Sequence, residues 1–290
     1  MITGNTKLLG VIGHPVEHSL SPAMHNGAIA HLGIDYVYLP LPVKPEDLEV
    51  ALNGFAAIGL KGFNVTIPHK QAILPLLTEV SQIAQAVGAV NTVWRTEDLL
   101  WAGTNTDVEG FIAPLKTYKR DWSQKIAVIL GNGGAARAAV AGCAQLGCAE
   151  IHITGRNQLK LQQFSNSWNN SPISVNLHVH SWEKLPELIA HADLLVNTTP
   201  IGMYPQVEQS PLSAGEIAQL PVGAIAYDLI YTPSPTQFLQ QAQKQGAVTI
   251  DGLEMLVQQG AAALKIWLQQ PVPVEIMRQA LHQQLGTVLR

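Results

Sequence analysis

Apolar residues recur along this chain in short runs closed by Gly, Pro, Asn or Asp, and most of the runs have strand length rather than helix length. Leu8–Ile12 and Tyr36–Leu39 predict two strands. Ser21 at N-cap with Pro22 after it predicts a helix start between them, and Gly33 its end. Pro45-Glu46-Asp47 opens a second helix, and Gln82 to Val87 is a third. Val90–Trp94 and Leu99–Ala102 predict a hairpin around Thr96-Glu97-Asp98. Between them, Gly62 to Lys70 reads as a strand with Phe63, Val65 and Ile67 on one face and Asn64 and Thr66 on the other. Pro68 has no N–H and should stop that strand, which leaves Lys70 just past its carboxyl end.

The pattern restarts near Lys125. Ile126–Leu130 is continuously apolar, as expected of a strand buried on both faces. A small-residue helix follows and closes at Gly147. Ile151–Thr154, Val175–Val179, Leu194–Asn197, Ala224–Leu229 and Val248–Ile250 are further strands. Helices over Leu253–Leu268 and Val274–Leu285 end the chain, separated by Pro271 and Pro273. Alternation of this kind predicts an α/β fold of two domains, the first with a mostly parallel sheet, with the boundary near Thr104 to Gly110. In open α/β sheets ligands bind outside the carboxyl ends of the strands. Asn64, Thr66 and Lys70 converge at such an end and suit a small, hydroxyl-rich molecule.

Composition narrows the field. The chain has 290 residues, 47% of them hydrophobic, enough for two cores. Only 13% are charged, the formal net charge is -4, and the Lys and Arg residues form no run. That argues against a nucleic-acid surface. No apolar run is long enough to span a bilayer, and the amino-terminal residues have neither the apolar core of a signal peptide nor the Arg-rich pattern of a transit peptide. Cys143 and Cys148 lie in and just beyond the alanine-rich helix and read as buried structural thiols. The expected location is a reducing, cytoplasmic one. Ten histidines include no HExxH, and the cysteines lack zinc spacing, so no metal is expected.

Gly131-x-Gly133-x-x-Ala136 sits between the apolar strand and the small-residue helix, the context that makes such a turn a dinucleotide-phosphate site. The next strand ends in Thr154-Gly155-Arg156-Asn157. An NAD site usually has an acid there for the ribose 2′-hydroxyl; this chain offers Arg156 instead, with Lys160 one helical turn on, which favours NADP. The missing acid also counts against a methyltransferase. Taken singly, Ser21 reads as a helix cap, and so does Asp107.

Together the motifs say more. They run Gly13-x-Pro15 with Ser19-x-Ser21-Pro22, Asn64-Val65-Thr66-Ile67-Pro68-x-Lys70, Gly88-Ala89-Val90-Asn91-Thr92 and Gly103-x-Asn105-Thr106-Asp107. They continue with Gly131-x-Gly133-Gly134-Ala135, Asn197-Thr198-Thr199-Pro200-x-Gly202-Met203, Tyr227-Asp228-Leu229-x-Tyr231 and Asp251-Gly252-x-x-Met255-Leu256-x-x-Gln259. In this order, over nearly the whole chain, they resemble the shikimate dehydrogenase family. The resemblance implies a substrate domain of residues 1–106 with 254–290, a Rossmann-type NADP domain of 107–253, and carboxyl-terminal helices that return to the first domain. It implies Lys70 and Asp107 as the catalytic pair. Ser19, Ser21 and Thr66 would hold the substrate carboxylate with Tyr231 nearby, and Asn64, Asn91, Asp107 and Gln259 the ring hydroxyls. Gly131, Gly133, Gly134 and Ala135 would hold the pyrophosphate and Arg156 the 2′-phosphate. Asn197, Thr198, Thr199, Met203, Gly252 and Met255 would line the rest of the cofactor. The implied reaction is reversible reduction of 3-dehydroshikimate to shikimate, in a monomer or homodimer that binds a small molecule and neither nucleic acid nor membrane. Rival readings are a quinate/shikimate dehydrogenase with relaxed cofactor use, a shikimate sensor without turnover, and a methylenetetrahydrofolate-type dehydrogenase, which the serine pair disfavours.

Overall fold

A computed structural model describes residues 2–288. The chain divides into two compact units, Met1–Thr106 with Val257–Arg290, and Asp107–Leu256. The first is built from β1 (Lys7–Gly13), α1 (Ser21–Leu32), β2 (Tyr36–Pro42), α2 (Leu48–Ala57), β3 (Gly62–Val65), α3 (His69–Ala72), β4 (Glu79–Val80), α4 (Gln82–Val87), β5 (Thr92–Arg95) and β6 (Trp101–Thr104). Its sheet has the order β2-β1-β3-β5-β6-β4. β1 pairs in parallel with β2 and β3, whereas β5 is antiparallel to both β3 and β6. The start of β5 and the end of β6 therefore lie at the same end of the sheet as the carboxyl ends of β1 and β3.

Local chemistry sets most of these boundaries. Gly33 takes the left-handed conformation (φ 64°) that closes α1, and Ser81 caps α4 by accepting from the Ala84 N–H. Two boundaries differ from the sequence expectation. Ser21 is the first residue of α1 rather than its cap, Leu20 occupies the cap position, and no side chain caps the helix. β3 stops at Val65, so Phe63 and Val65 are buried while Ile67 is exposed and outside the apolar face. The Thr66 N–H makes the last regular ladder bond, to the Ile12 carbonyl, and the His14 N–H then skips to the Ile67 carbonyl.

The second unit runs α5 (Asp107–Lys116), β7 (Ile126–Leu130), α6 (Gly134–Leu146), β8 (Glu150–Gly155), α7 (Gln158–Asn166), β9 (Leu177–Ser181), α8 (Leu185–Ile189), β10 (Leu194–Asn197), α9 (Ala214–Ile217), β11 (Ile225–Asp228), α10 (Gln237–Lys244) and β12 (Val248–Ile250). All its strands pair in parallel, in the order β12-β11-β10-β7-β8-β9. This is the doubly wound order of dinucleotide-binding sheets, with the switch point between β7 and β10. β9 begins two residues later than the hydrophobic run predicts, because its register is set by β8, with Ile151 opposite Leu177. Gly142 lets Phe111 of α5 lie against α6, where an added Cβ would come within 2.4 Å of its ring. Phe111 in turn stacks on Tyr227 of β11 at 5.1 Å. Cys143 is buried, and Cys148 follows the α6 terminus with its N–H bonded to the Cys143 carbonyl.

α11 (Leu253–Leu268) carries the chain out of the second unit and into the first, and α12 (Val274–Val288) packs there against α1, Gly27 facing Ala280. Trp267 of α11 donates its indole N–H to the Val93 carbonyl, over the space that Gly62 leaves open. Beneath it, His25 stacks on Tyr38 with ring centroids 4.2 Å apart, and neither of its nitrogens has a hydrogen-bond partner. Among the described residues no helix is long and apolar enough to cross a membrane.

Burial drives the pKa of His25 down from 6.5 to about 3, against a weaker opposite pull from the Asn64 side chain. The unfolded chain therefore takes up a proton below about pH 6.5 that the folded chain refuses. Stability from this group is complete above that pH and is lost as pH falls toward 3, by about 1.4 kcal/mol per unit. The pH dependence of the thermal midpoint between pH 7 and 4 should accordingly be shallower in His25→Phe than in the parent; parallel curves would refute a buried neutral imidazole.

Candidate functional site

In the first unit the site grows from the strand ends. Gly13 has no side chain because Thr66 occupies the space, its Cγ2 lying 2.5 Å from where a Cβ would be. That close approach seats Thr66 beside the turn leading to Ser19 and Ser21. The Ser19 hydroxyl accepts the Ser21 N–H at 3.3 Å, occupying one of the unpaired donors that begin α1. Ser21 is buried and Ser19 half-buried. Lys70 is half-buried on α3, a short helix that the sequence pattern misses. The helix is fixed on both sides of Lys70: the His69 ring bonds the Val43 carbonyl at 2.7 Å, and the Lys70 carbonyl accepts the Val90 N–H at 2.8 Å.

Asn64 and Asn91 anchor the polar floor. Asn64 donates both amide hydrogens inside the protein, to the Asn91 carbonyl (3.0 Å) and the Thr92 hydroxyl (3.2 Å), and its Oδ1 accepts the Tyr38 phenol at 2.7 Å. Burial raises the Tyr38 pKa well above its ordinary value, with the Ser21 hydroxyl opposing, so the phenol stays protonated and acts as the donor. One lone pair on Oδ1 is what Asn64 has left, and it can only accept. Asn91 has the opposite polarity. Its Oδ1 receives the Thr106 N–H at 2.7 Å and sits 3.0 and 3.1 Å from the Thr92 and Thr106 hydroxyls. Any bond it makes to a ligand must use the amide N–H groups, one of which points to Gln259 Oε1 at 3.4 Å. Gln259, on α11, is buried.

The other expected substrate residues belong to the second unit. Asp107 is the first residue of α5 and half-buried, favourably placed for a negative charge at a helix start. Tyr231 follows β11, and burial raises its phenol pKa.

The phosphate turn lies at the carboxyl end of β7. Gly131 is required by the fold: it has φ 99°, and a Cβ would come within 2.9 Å of the Thr198 hydroxyl. Gly133 and Gly134 are different, since a Cβ at either would meet nothing within 4 Å. Nothing in the protein demands glycine there, whereas a pyrophosphate lying on the backbone would. Beside them, the Asn132 side-chain nitrogen is buried without a partner, and Ala135 is exposed in the first turn of α6. The residues present therefore fit a dinucleotide. At the end of β8, Asn157 caps α7 by accepting the Lys160 N–H at 2.9 Å, and Arg156 is exposed with its guanidinium 5.2 Å from the centre of the Trp182 ring.

One expected cofactor contact is corrected. Asn197 is fully buried and its side chain is saturated: it donates to Asp228 (3.0 Å) and the Ile201 carbonyl (3.2 Å) and accepts from the N–H and hydroxyl of Thr199. It shapes the loop that carries Thr199 instead of lining a ligand. Asp228 is buried as well, which raises its pKa to about 6 despite bonds from Thr236, the Ile230 N–H and Asn197. Thr198 donates to the Leu130 carbonyl at 2.6 Å, Met203 is exposed and Met255 half-buried. Gly252 lies against backbone, where a Cβ would be 2.2 Å from the Leu229 carbonyl oxygen. Sequence reasoning missed Tyr38, Thr92, Thr106, Asn132 and Trp182. Thr92, Thr106 and Asn132 lie inside or beside the motifs, while Tyr38 and Trp182 carry no local signal.

Known proteins share this fold. The profile described as the shikimate dehydrogenase substrate binding domain matches residues 11–93, and that of the shikimate 5′-dehydrogenase C-terminal domain matches residues 252–282. A shikimate dehydrogenase (NADP(+)) of Trichormus variabilis is 71% identical over 99% of this chain and 100% of its own. The chain belongs to the shikimate dehydrogenase family. Two solved members of that family are close in shape. Shikimate 5-dehydrogenase from Listeria monocytogenes, solved with shikimate and NAD, is 36% identical, with a TM-score of 0.87 over 97% of this chain and 98% of its own. The Thermus thermophilus enzyme, solved with NADP(H) and shikimate, is 34% identical, with a TM-score of 0.84 over 96% of this chain and 99% of its own. The first profile spans Ser19, Ser21, Asn64, Thr66, Lys70 and Asn91, and the second spans Gly252, Met255 and Gln259.

The open space at Gly133 separates folding from binding. Gly133→Ala should leave the thermal midpoint nearly unchanged and weaken NADP binding about tenfold or more, roughly 1.4 kcal/mol. A titration showing parental affinity would remove this turn from the cofactor site.

Proposed function

We propose that the chain is an NADP-dependent shikimate dehydrogenase of the cytoplasm, interconverting 3-dehydroshikimate and shikimate, with residues up to 106 and the carboxyl-terminal helices as its substrate domain. The observation that carries the reading is the opposed polarity of Asn64 and Asn91 on a buried floor beside Lys70. A ring bearing several hydroxyls needs both an acceptor and a donor there, because each hydroxyl can give one hydrogen and receive others. Ser19, Ser21 and Thr66 take the carboxylate, with Tyr231 assisting, and Gln259 a further hydroxyl. Neutral hydroxyl and N–H donors suit an anion at the start of α1.

When bound, the nicotinamide supplies or receives the hydride. The chain's own residues move the proton and hold the ring. Lys70 Nζ as ammonium donates to the oxygen that gains negative charge on ketone reduction, and as amine it accepts the hydroxyl proton in the reverse direction. Anchoring α3 through His69 and Val90 limits how far that amine can wander, which favours reaction over mere attraction. Asp107 serves as the second catalytic group and binds a ring hydroxyl. Gly131, Gly133, Gly134 and Ala135 hold the pyrophosphate, Arg156 the 2′-phosphate, and Thr198, Thr199, Met203, Gly252 and Met255 the remainder of the cofactor. Use of NAD alongside NADP is a second reading, favoured by the NAD-bound Listeria relative; the absence of an acid after Thr154 favours NADP.

Shikimate with NADP should give absorbance growth at the reduced-nicotinamide band. Lys70→Ala should cut turnover by a factor of roughly 10²–10⁴ with a small change in shikimate affinity; wild-type turnover in that variant would clear Lys70 of the chemistry. Arg156→Ala should narrow the NADP-to-NAD ratio of kcat/KM. If the parent used both cofactors equally well, the NADP assignment would fail.

A further inference from the structure

Arg156 and Trp182 occupy equivalent places on neighbouring strands. Each is the first residue beyond its strand, β8 and β9, and the strands pair in register up to Gly155 opposite Ser181. The backbone on both sides of Arg156 is held, by β8 before it and by the Asn157 cap of α7 after it. Its side chain is exposed, and an exposed arginine samples many rotamers. Here the guanidinium lies over the Trp182 ring, 5.2 Å from its centre. The ring is itself anchored. Trp182 is packed against the buried cluster that includes Val128, Leu185 and Leu195, and its carbonyl accepts the Leu185 N–H.

We propose that Trp182 is a positioning residue for the cofactor's 2′-phosphate: it holds the Arg156 guanidinium in place before the cofactor arrives, and so sets part of the preference for NADP over NAD. The proposal rests on the reading that NADP is the cofactor and that Arg156 meets its 2′-phosphate. An aromatic face suits the task better than a carboxylate would. The ring's quadrupole attracts the cation without cancelling its charge, so the full positive charge is left for a phosphate, and the planar fork stays in the orientation that two parallel bonds need. Glu183, the acid next to Trp182, is engaged with the Ser181 side chain, which lowers its pKa together with a bond from its own backbone N–H. Among the described residues Arg156 makes no ion pair with it or with any other acid.

The test compares 2′,5′-ADP with 5′-AMP, two fragments that differ by the 2′-phosphate, by calorimetric titration of the full chain. The variants are Trp182→Leu, which keeps apolar volume against the core, Trp182→Phe, which keeps an aromatic face, Arg156→Ala, and the Arg156→Ala/Trp182→Leu double variant. Trp182→Leu should weaken 2′,5′-ADP about two- to fivefold and leave 5′-AMP unchanged. Trp182→Phe should recover most of the loss, and Trp182→Leu should cost nothing further once Arg156 is alanine. Equal weakening of both fragments, or the same loss without Arg156, would overturn the proposal, since the ring would then serve the adenine or the fold. A parent that binds both fragments equally would overturn the NADP reading itself, and this inference with it. If Trp182→Leu fails to fold, the Trp182→Phe titration decides: retained discrimination supports an aromatic platform, and a loss as large as that of Arg156→Ala refutes it.

Discussion

A buried amide oxygen must be satisfied, and in the first unit that requirement converges on Asn91. Its Oδ1 takes the Thr106 N–H and is approached by the Thr92 and Thr106 hydroxyls. One side chain thereby joins the entry of β5 to the segment beyond β6, and its backbone carbonyl receives the Asn64 amide from the end of β3. Leaving any of these groups unpaired would cost on the order of 1–3 kcal/mol, so the network is held as a set. The polarity each amide offers a ligand is fixed by the bonds it has already made inside the protein.

The second unit solves the same problem with the same residue type at the end of a strand. Asn197 closes β10 by bonding Asp228 across the sheet and Thr199 ahead of it, and Thr198 ties the loop to the carbonyl of Leu130. These bonds seat the loop against Gly131, whose left-handed backbone leaves no room for a side chain. The glycines of the turn thus divide by cause. Gly131 is imposed by the neighbouring loop, whereas Gly133 and Gly134 face open space, with no protein atom within 4 Å of where a Cβ would be.

Burial of titratable groups works in opposite directions in the two units. Desolvation keeps His25 neutral and makes acid conditions unfavourable for the first. In the second, burial raises Asp228 from 3.8 to about 6, so the folded chain takes up a proton in that window before the unfolded one and loses stability from this group as pH rises through it. The two effects overlap in pH and oppose each other.

The sequence by itself determined the alternation of strands and helices, the strand–glycine–helix turn, and the bounds of Ile126–Leu130, Leu194–Asn197 and Leu253–Leu268, because periodicity, capping residues and glycines act over a few positions. Its ordered motifs also named the family, through local spacings that each carry their own chemistry. Only the tertiary structure decided that Ile67 leaves the apolar face, that Ser21 lies inside its helix, that β9 starts at Leu177, and that Asn197 is spent within the protein. Only it brought Tyr38 to Asn64 and Trp182 to Arg156. Those outcomes depend on a partner 26 residues away in the chain for Tyr38 and Asn64, and on a strand pairing for Trp182. Hydrogen-bond satisfaction between distant segments leaves no mark in local pattern, so it is read from the fold and from nothing shorter.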